Sequence, residues 1–546
     1  MAASAKSPTT APKDEDFKSQ RNEPRSSDAL ASSGMAAFGT MLLDRKKMEE
    51  ERQARIAKRK RQEGGSSGDA PTARKPRVSY EASIQSPTGQ DHKFTATANN
   101  PSSATPFSSP SPPFPKGVVK RTWTHGYERK GDDIKIEEIF QKEQLRLAVL
   151  ASYQWDDDWL LSKIDISRTR LICIAYASDE AHKDQMRANV PSSHVRFCFP
   201  PMGGYGAMHA KVQILKFPEY VRVVVPSGNL TRYDWGETGV LENMVFLIDL
   251  PPLAEGASFI PTSFSTELFR FLRALGLEDR LVSTLEKYDF SETRRYGFVH
   301  TIAGSHSGED WQNTGYSGLA RTINDLGLAS EAPIDVDFVC SSLGSLNREY
   351  LSSLYAAFQG NQNAESLIVR TSKNKPARDQ GGLAHHFRVY FPSQKTVGGS
   401  RGGPASAGTI TFRPEWWEAS TFPRELLRDC VCRRRGLLVH SKAAFVRHGQ
   451  SGPEPIGWVY VGSANLSESA WGRLVKDKSS GRPKMSCRNW ECGVILPAHT
   501  PQTSPVTAAG TCSLDEVFGG HIPIPMVTPA AAYTSTGPEA QPWFFR

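Results

Sequence analysis

The chain has 546 residues, 38% of them hydrophobic and 10% aromatic, which is enough for an extended tail and two core-sized domains. Its net charge of +8 and pI of about 8.9 permit a polyanionic partner without requiring one. No apolar run approaches the ~20 residues that a membrane span needs, and the N-terminus lacks the apolar core of a signal peptide, so no membrane partner is expected.

Residues 1–115 are dominated by Ser, Pro, Ala, Thr and charge. Such a segment has too little apolar surface to offset its ordering entropy and is expected to be disordered. Two basic clusters lie within it, Lys58-Arg-Lys-Arg61 and Arg74-Lys-Pro-Arg77. In a mobile tail they read as nuclear import signals or non-specific nucleic-acid contacts. Order is expected to begin near Trp123. The spacing of apolar residues predicts an amphipathic helix over 137–151 and a buried strand over 171–176. A second helix is expected over 266–275, with Gly276 as its C-terminal cap. A Gly/Ser-rich stretch, 303–318, leads into a second half with a strand at 336–340 and a helix at 345–358 closed by Gly360. The eight cysteines show no paired framework. Cys430-x-Cys432 and Cys487-x4-Cys492 resemble zinc half-sites, but His or Cys partners at the usual spacing are missing, so no metal is expected. Scattered thiols suit a reducing compartment.

One figure occurs twice. His209-Ala-Lys211 opens the apolar run 212–215, a turn leads to the β-rich run 221–225, and Ser227-Gly-Asn229 follows. His440-Ser-Lys442 opens 443–446, a turn leads to 458–461, and Ser463-Ala-Asn465 follows. Period-two alternation puts His and Lys on one strand face, and a hairpin would return the Asn beside them. The copies lie 231 residues apart with matching flanks, the signature of an internal duplication. Strands alternating with helices, repeated twice, predict two pseudo-symmetric α/β sandwich halves, 116–330 and 331–546, with the triplets meeting at the seam.

Two Lys ammoniums and two Asn amides can donate to anionic oxygens, and grouped together they form a pocket for the equatorial oxygens of a phosphoryl group. Two imidazoles on opposite sides can serve as nucleophile and general acid, with ordinary pKa values near working pH. A cofactor-free phosphodiester transfer through a phosphohistidine is the economical chemistry. The symmetry leaves open which histidine attacks.

The doubled His-x-Lys…Ser-x-Asn resembles the phospholipase D superfamily, whose usual motif also carries an Asp five residues beyond the Lys. Here Lys216 and Arg447 occupy that position. The missing Asp, with Gly204-Tyr-Gly-Ala-Met-His209 and Gly462-Ser-Ala-Asn-Leu-Ser-Glu-Ser-Ala-Trp-Gly472, is similar to the eukaryotic tyrosyl-DNA phosphodiesterases, which resolve stalled topoisomerase I. The resemblance covers about residues 120–546 and implies two phospholipase D-type halves sharing one active site. It also implies residue roles. His209 matches the nucleophile and His440 the general acid that later activates water, while Lys211, Lys442, Asn229 and Asn465 match the phosphate-binding shell. Glu491 matches the carboxylate that orients the acid/base imidazole. The corresponding first-half residue is normally Gln, for which Glu242 or Asn243 is nearest. Tyr205 matches an aromatic that stacks on a DNA base. Ser341, Ser342, Ser345 and Ser400 match DNA-backbone contacts, and Tyr153 a residue near the leaving peptide. The implied partner is a DNA 3′ end, single-stranded or duplex, carrying a topoisomerase I peptide, met by a nuclear monomer.

Overall fold

A computed structural model describes residues 112–202, 206–369, 382–448, 457–498, 513–533 and 541–544. The expectations for residues 1–111 and for Tyr205 lie outside the described residues.

Among the described residues, nine strands precede residue 251: β1 (Val118–Thr122), β2 (Asp133–Ile134), β3 (Leu147–Ala151), β4 (Arg170–Ile174), β5 (Val195–Cys198), β6 (Val212–Lys216), β7 (Val221–Pro226), β8 (Leu241–Glu242) and β9 (Met244–Leu250). There follow β10 (Gly297–Thr301), β11 (Gly304–His306), β12 (Ile334–Val339), β13 (Phe387–Phe391), β14 (Leu427–Asp429), β15 (Leu438–Val439), β16 (Lys442–His448), β17 (Gly457–Gly462), β18 (Arg473–Lys476), β19 (Pro483–Cys487) and β20 (Glu491–Ala498). One sheet runs β2-β1-β9-β7-β6-β3-β4-β5 and another β10-β20-β17-β16-β12-β13-β14. Set β2 aside and the two orders match strand for strand. In each, the pairings are antiparallel from the first strand to the fifth and parallel across the last three. The duplication expected from the two triplets therefore extends over both sheets.

Alternation decides what each sheet buries. In β17, Val459 and Val461 enter the core shared by the two sheets, while Trp458 and Tyr460 enter the outer layer of the second half. In β7, Val221, Val223 and Val225 face the shared core and Val224 the outer layer of the first half. Strands buried on both faces read as nearly continuous apolar runs, which is why these segments were plain in the sequence. Strands β7 and β9 pack against β17 and β20. Helix Ser263–Ala274 joins this shared core through Phe264, Leu268, Phe271 and Leu272, and helices Gly315–Asp325 and Arg348–Phe358 cover the outer face of the second sheet.

Two expectations are corrected. The helix predicted over 137–151 is only Ile136–Phe140, ended by Gln141 at φ +42°, and 147–151 is β3. Leu147 to Ala151 pairs with β4 on one side and β6 on the other, and this burial between two strands overrides the helical spacing. The boundary between halves also lies upstream of 330/331. Strand β10 is the edge of the second sheet, and Tyr316, Leu319 and Ala320 belong to the second half's core, so that half begins by Gly297. The 303–318 stretch lies inside it, not ahead of it. The 266–275 helix, by contrast, is present as Ser263–Ala274 with Gly276 at φ +91° just beyond it.

Candidate active site

Each triplet sits where a short segment of one half is stitched to the other. Met208 forms a parallel bridge with Trp490. The His209 N–H donates to the Trp490 carbonyl (3.1 Å), and the Trp490 N–H donates to that of Ala207 (2.9 Å). The mirror contact pairs β15 with β8 in parallel, and the His440 N–H donates to the Glu242 carbonyl (2.8 Å). The backbone just before each triplet-bearing strand is thus held by the opposite half.

Side chains repeat this crossing. The His209 Nδ1–H donates to Glu491 Oε2 (2.9 Å). The His440 Nδ1–H points at Asp234 Oδ1 (2.7 Å), with Asn243 Oδ1 at 3.2 Å. Register makes Asn243 the symmetry mate of Glu491. Ser227 donates to Asn243 and accepts from the Met244 N–H, as Ser463 donates to Glu491 and accepts from the Cys492 N–H.

Two readings of the sequence change here. Glu491 contacts His209, not His440, because the strand that carries it lies next to the seam segment of the other half. Of the pair considered for orienting His209, Asn243 meets His440 instead. Glu242 turns away to pair with Arg434, receives a weak Cys432 contact (3.6 Å), and is buried so deeply that its pKa rises. Asp234 was missed. It follows Asn229 by five residues, and the same offset in the second copy gives Ala470, so comparison of the repeats hides it. Asn489 was missed too. Its Nδ2 donates to Glu491 Oε1 (3.0 Å), and its Oδ1 accepts the Ala207 N–H (3.2 Å), tying that carboxylate to the His209 segment.

The phosphate-binding candidates converge. Lys211 Nζ donates to the His209 carbonyl (2.7 Å) and Lys442 Nζ to that of His440 (2.6 Å). Lys442 also lies 3.1–3.2 Å from both His440 ring nitrogens and 3.3 Å from the Ser227 carbonyl, in the other half. Asn229 Oδ1 accepts the Gln154 N–H (3.3 Å), and Asn465 Oδ1 accepts those of Ser341 (3.2 Å) and Ser342 (3.0 Å). With each amide oxygen occupied, the NH2 end is oriented as the donor. Tyr153 is half-exposed, its ring 5.3 Å from that of His209 and 5.9 Å from the Lys211 ammonium. Ser345 is exposed on the loop after Ser342 and joins no hydrogen bond with the triplets. The Ser400 hydroxyl donates to the Val397 carbonyl (2.8 Å), and the residue lines a cleft of about 170 Å³ with Lys395, Thr396 and Cys432 rather than the triplet site.

Burial dominates the electrostatics. It lowers the Lys211 pKa to about 8, against the pull of Glu491 and Asp234. It lowers that of Lys442 to about 7, helped by the Lys211 charge. Desolvation takes His440 down to about 4 although Asp234 opposes it, and it lowers His209 as well. Burial would raise the Asp234 pKa, yet His440, Lys442 and the Asn229 N–H hold it below the usual carboxylate range. The His209 side chain is 15% exposed and that of His440 5%, so His209 is the more open to an incoming group. Two poorly solvated ammoniums facing two carboxylate-backed imidazoles form a site prepared for an anion.

Among the described residues no three His, Cys, Asp or Glu side chains gather as a metal site, and no helix is long and apolar enough to cross a membrane. The described cysteines are all unpaired thiols.

Comparison with known proteins gives the family. Residues 118–534 match the family described as tyrosyl-DNA phosphodiesterase. Tyrosyl-DNA phosphodiesterase 1 of Arabidopsis thaliana is 23% identical over 371 residues, 64% of this chain and 56% of that protein. The Saccharomyces cerevisiae protein of that name is 22% identical over 476 residues, 77% of this chain and 83% of its own. The matches span only about half to three-fifths of the length of the relatives from Arabidopsis, Caenorhabditis elegans and Drosophila. The crystal structure of the yeast tyrosyl-DNA phosphodiesterase superposes with a TM-score of 0.51 at 21% identity, covering 71% of this chain and 90% of that one, a likeness of fold. With its twin sheets and its family match across most of its length, the chain belongs to the tyrosyl-DNA phosphodiesterase family.

Proposed function

We propose that the protein is a DNA-repair phosphodiesterase that hydrolyses 3′-phosphotyrosyl and related 3′-phospho adducts, releasing topoisomerase I peptide from DNA ends. What carries this reading is the seam itself, where two buried ammoniums and two oriented amides surround one open and one enclosed imidazole, each with its Nδ1–H engaged by a carboxylate. With Nδ1 protonated, each Nε2 holds the lone pair that nucleophile or base requires.

In the first step His209 Nε2 bonds to phosphorus, the bond to the tyrosine oxygen breaks, and His440 gives that oxygen a proton. In the second, His440 takes a proton from water, the water oxygen bonds to phosphorus, the P–N bond breaks, and DNA leaves with a 3′-phosphate. Lys211, Lys442, Asn229 and Asn465 neutralise the equatorial oxygens throughout. His440, neutral in the free protein at neutral pH, gains basicity when the phosphodiester anion offsets the charges of Lys211 and Lys442, and takes up from solvent the Nε2 proton that it gives to the tyrosine oxygen. The same two ammoniums supply the neutralisation for which many phosphoryl-transfer enzymes use a metal, so turnover is metal-independent.

The cleft is polarised at equivalent positions. After β3 comes aromatic Tyr153, suited to the leaving tyrosyl peptide; after β12 come Ser341 and Ser342, suited to the DNA backbone. The protein acts as a nuclear monomer, consistent with the basic clusters at 58–61 and 74–77. The test is turnover of a 3′-phosphotyrosyl oligonucleotide in EDTA, with a phospholipid as control. Release of tyrosine only after Mg²⁺ or Zn²⁺ is restored, or preference for the lipid, would overturn the proposal.

A further inference from the structure

We infer that Asp234 is a positioning residue for the reaction, coupling the acid–base imidazole of the second half to the phosphate-binding amide of the first. Its Oδ1 lies 2.7 Å from His440 Nδ1 and accepts from Asn243 Nδ2 (2.9 Å). Its Oδ2 accepts from the Asn229 N–H (2.9 Å), from Asn229 Nδ2 (2.8 Å) and from the Thr231 hydroxyl (3.3 Å). The carboxylate is fully buried. An ionised carboxylate in that setting costs several kcal/mol unless its lone pairs are met, and here both oxygens are.

The placement is local in origin. The chain turns between Thr231 and Trp235, with the Trp235 N–H on the Thr231 carbonyl (3.2 Å), and the fully buried Trp235 anchors that turn. Asn229 therefore meets its carboxylate five residues on, within one local turn.

Among the described residues the second half has no counterpart. Glu491 is held by Ser463 and Asn489 and makes no hydrogen bond to Asn465, whose oxygen is taken by Ser341 and Ser342. The asymmetry fits a division of labour between the histidines. His440 must accept and release a proton in each turnover, and neutral Asn243, in the position equivalent to Glu491, cannot stabilise an imidazolium as a carboxylate can. Asp234 supplies that charge from a loop. It also fixes one N–H of the Asn229 amide, leaving the other for phosphate. The charged groups facing His440 are then Asp234 on one side and Lys442 and Lys211 on the other.

This role presupposes the proposed histidine assignments, and the experiment separates the two. Asp234→Asn, Asp234→Glu and the double variant Asp234→Asn/Asn243→Asp are compared with the full-length protein. Substrates are oligonucleotides bearing 3′-tyrosyl or 3′-nitrophenyl esters, the latter leaving without a proton. Asp234→Asn is expected to slow tyrosyl release by about 10²-fold or more, the lower end of what general acid–base help contributes. Its nitrophenyl burst should stay within a few-fold of the parent, with the second step slowed. The double variant, with its carboxylate 3.2 Å from His440 in the position equivalent to Glu491, should recover much of the tyrosyl rate, as should Asp234→Glu. Equal slowing of both bursts, or no recovery in either carboxylate variant, would overturn the inference. A direct reading is independent of turnover: NMR titration of His440 in the free protein should show a lower pKa in Asp234→Asn and a return in the double variant. An unchanged pKa would refute the pairing even if the phosphodiesterase reading holds. Absence of tyrosyl turnover in the parent protein, with the NMR shift present, would instead refute the function and keep the pairing.

Discussion

Glu491 of the second half accepts the Nδ1–H of His209 in the first at 2.9 Å. The nucleophile candidate is thus oriented by a residue 282 positions away that no local motif around His209 announces. Glu491→Gln is expected to slow formation of the covalent adduct with tyrosyl and nitrophenyl esters alike, because it acts on the attacking ring and not on the leaving group. A loss confined to the tyrosyl ester in single-turnover kinetics would place Glu491 with the acid instead.

Asn489 should show the same selectivity with a smaller effect. Asn489→Ala leaves His209–Glu491 intact but removes one of the carboxylate's donors and the brace on Ala207. The net value of such a hydrogen bond is about 0.5–1.5 kcal/mol, or roughly 2- to 13-fold in rate. Rates unchanged within error for both esters would show that the brace is redundant.

The lysines predict a pH dependence. A Lys whose pKa is depressed is charged below that value and neutral above it, so phosphate neutralisation is present at low pH and lost as pH rises through about 7 for Lys442 and about 8 for Lys211. The value of kcat/KM, which reports the free enzyme, should fall across this window with either leaving group. A profile flat to pH 9 for both esters would contradict it. Lys211→Ala or Lys442→Ala should cost about 2.7–4 kcal/mol of transition-state stabilisation, the loss seen for a single oxyanion donor. A variant with near-normal turnover would remove that Lys from the site.

The two histidines are distinguished by leaving group. His209→Ala should form no covalent adduct with any ester. His440→Ala should still give a burst on the nitrophenyl ester and accumulate an acid-labile DNA–protein adduct, since tyrosine, with a phenol pKa near ~10, needs a proton that nitrophenolate does not. Accumulation in the His209 variant instead would reverse the roles.

Gly228 gives a packing prediction. A Cβ there would lie 2.9 Å from the Asn243 amide and 3.1 Å from Asp234 Cβ. Gly228→Ala should therefore destabilise by about 1–3 kcal/mol, as overpacking does, and should lower activity by disturbing both residues that face His440. The second copy carries Ala464 at the equivalent place, where no such pair stands. A Tm and rate equal to the parent's would show that the Asn243 amide yields freely.

Most of the fold was legible where strands are buried on both faces, as in 212–215 and 221–225, since their apolar runs leave little choice of structure. It was not legible at 147–151, where a helix-compatible pattern became a central strand between two partners supplied by distant sequence. The six triplet residues could be found because they repeat. Their supporting residues could not, because the halves support them differently: strand-borne Glu491 behind His209, loop-borne Asp234 with neutral Asn243 behind His440. A repeat reveals what both copies kept and conceals what one of them changed. Which carboxylate faces which imidazole depends on the crossing at the seam, a property of assembly alone.

That crossing is the contact pattern of a twofold dimer, in which a patch on one copy meets the same patch on the other. Joined in one chain, the halves remain reciprocal hostages. A product truncated before Trp490 keeps His209, Lys211 and Asn229, with Asp234 beside them, yet loses the bridge to Met208 and the acceptor for the His209 ring. Damage near the C-terminus would thus disarm the histidine nearest the beginning of the fold, and a first half released alone would carry a carboxylate made for a ring it no longer meets.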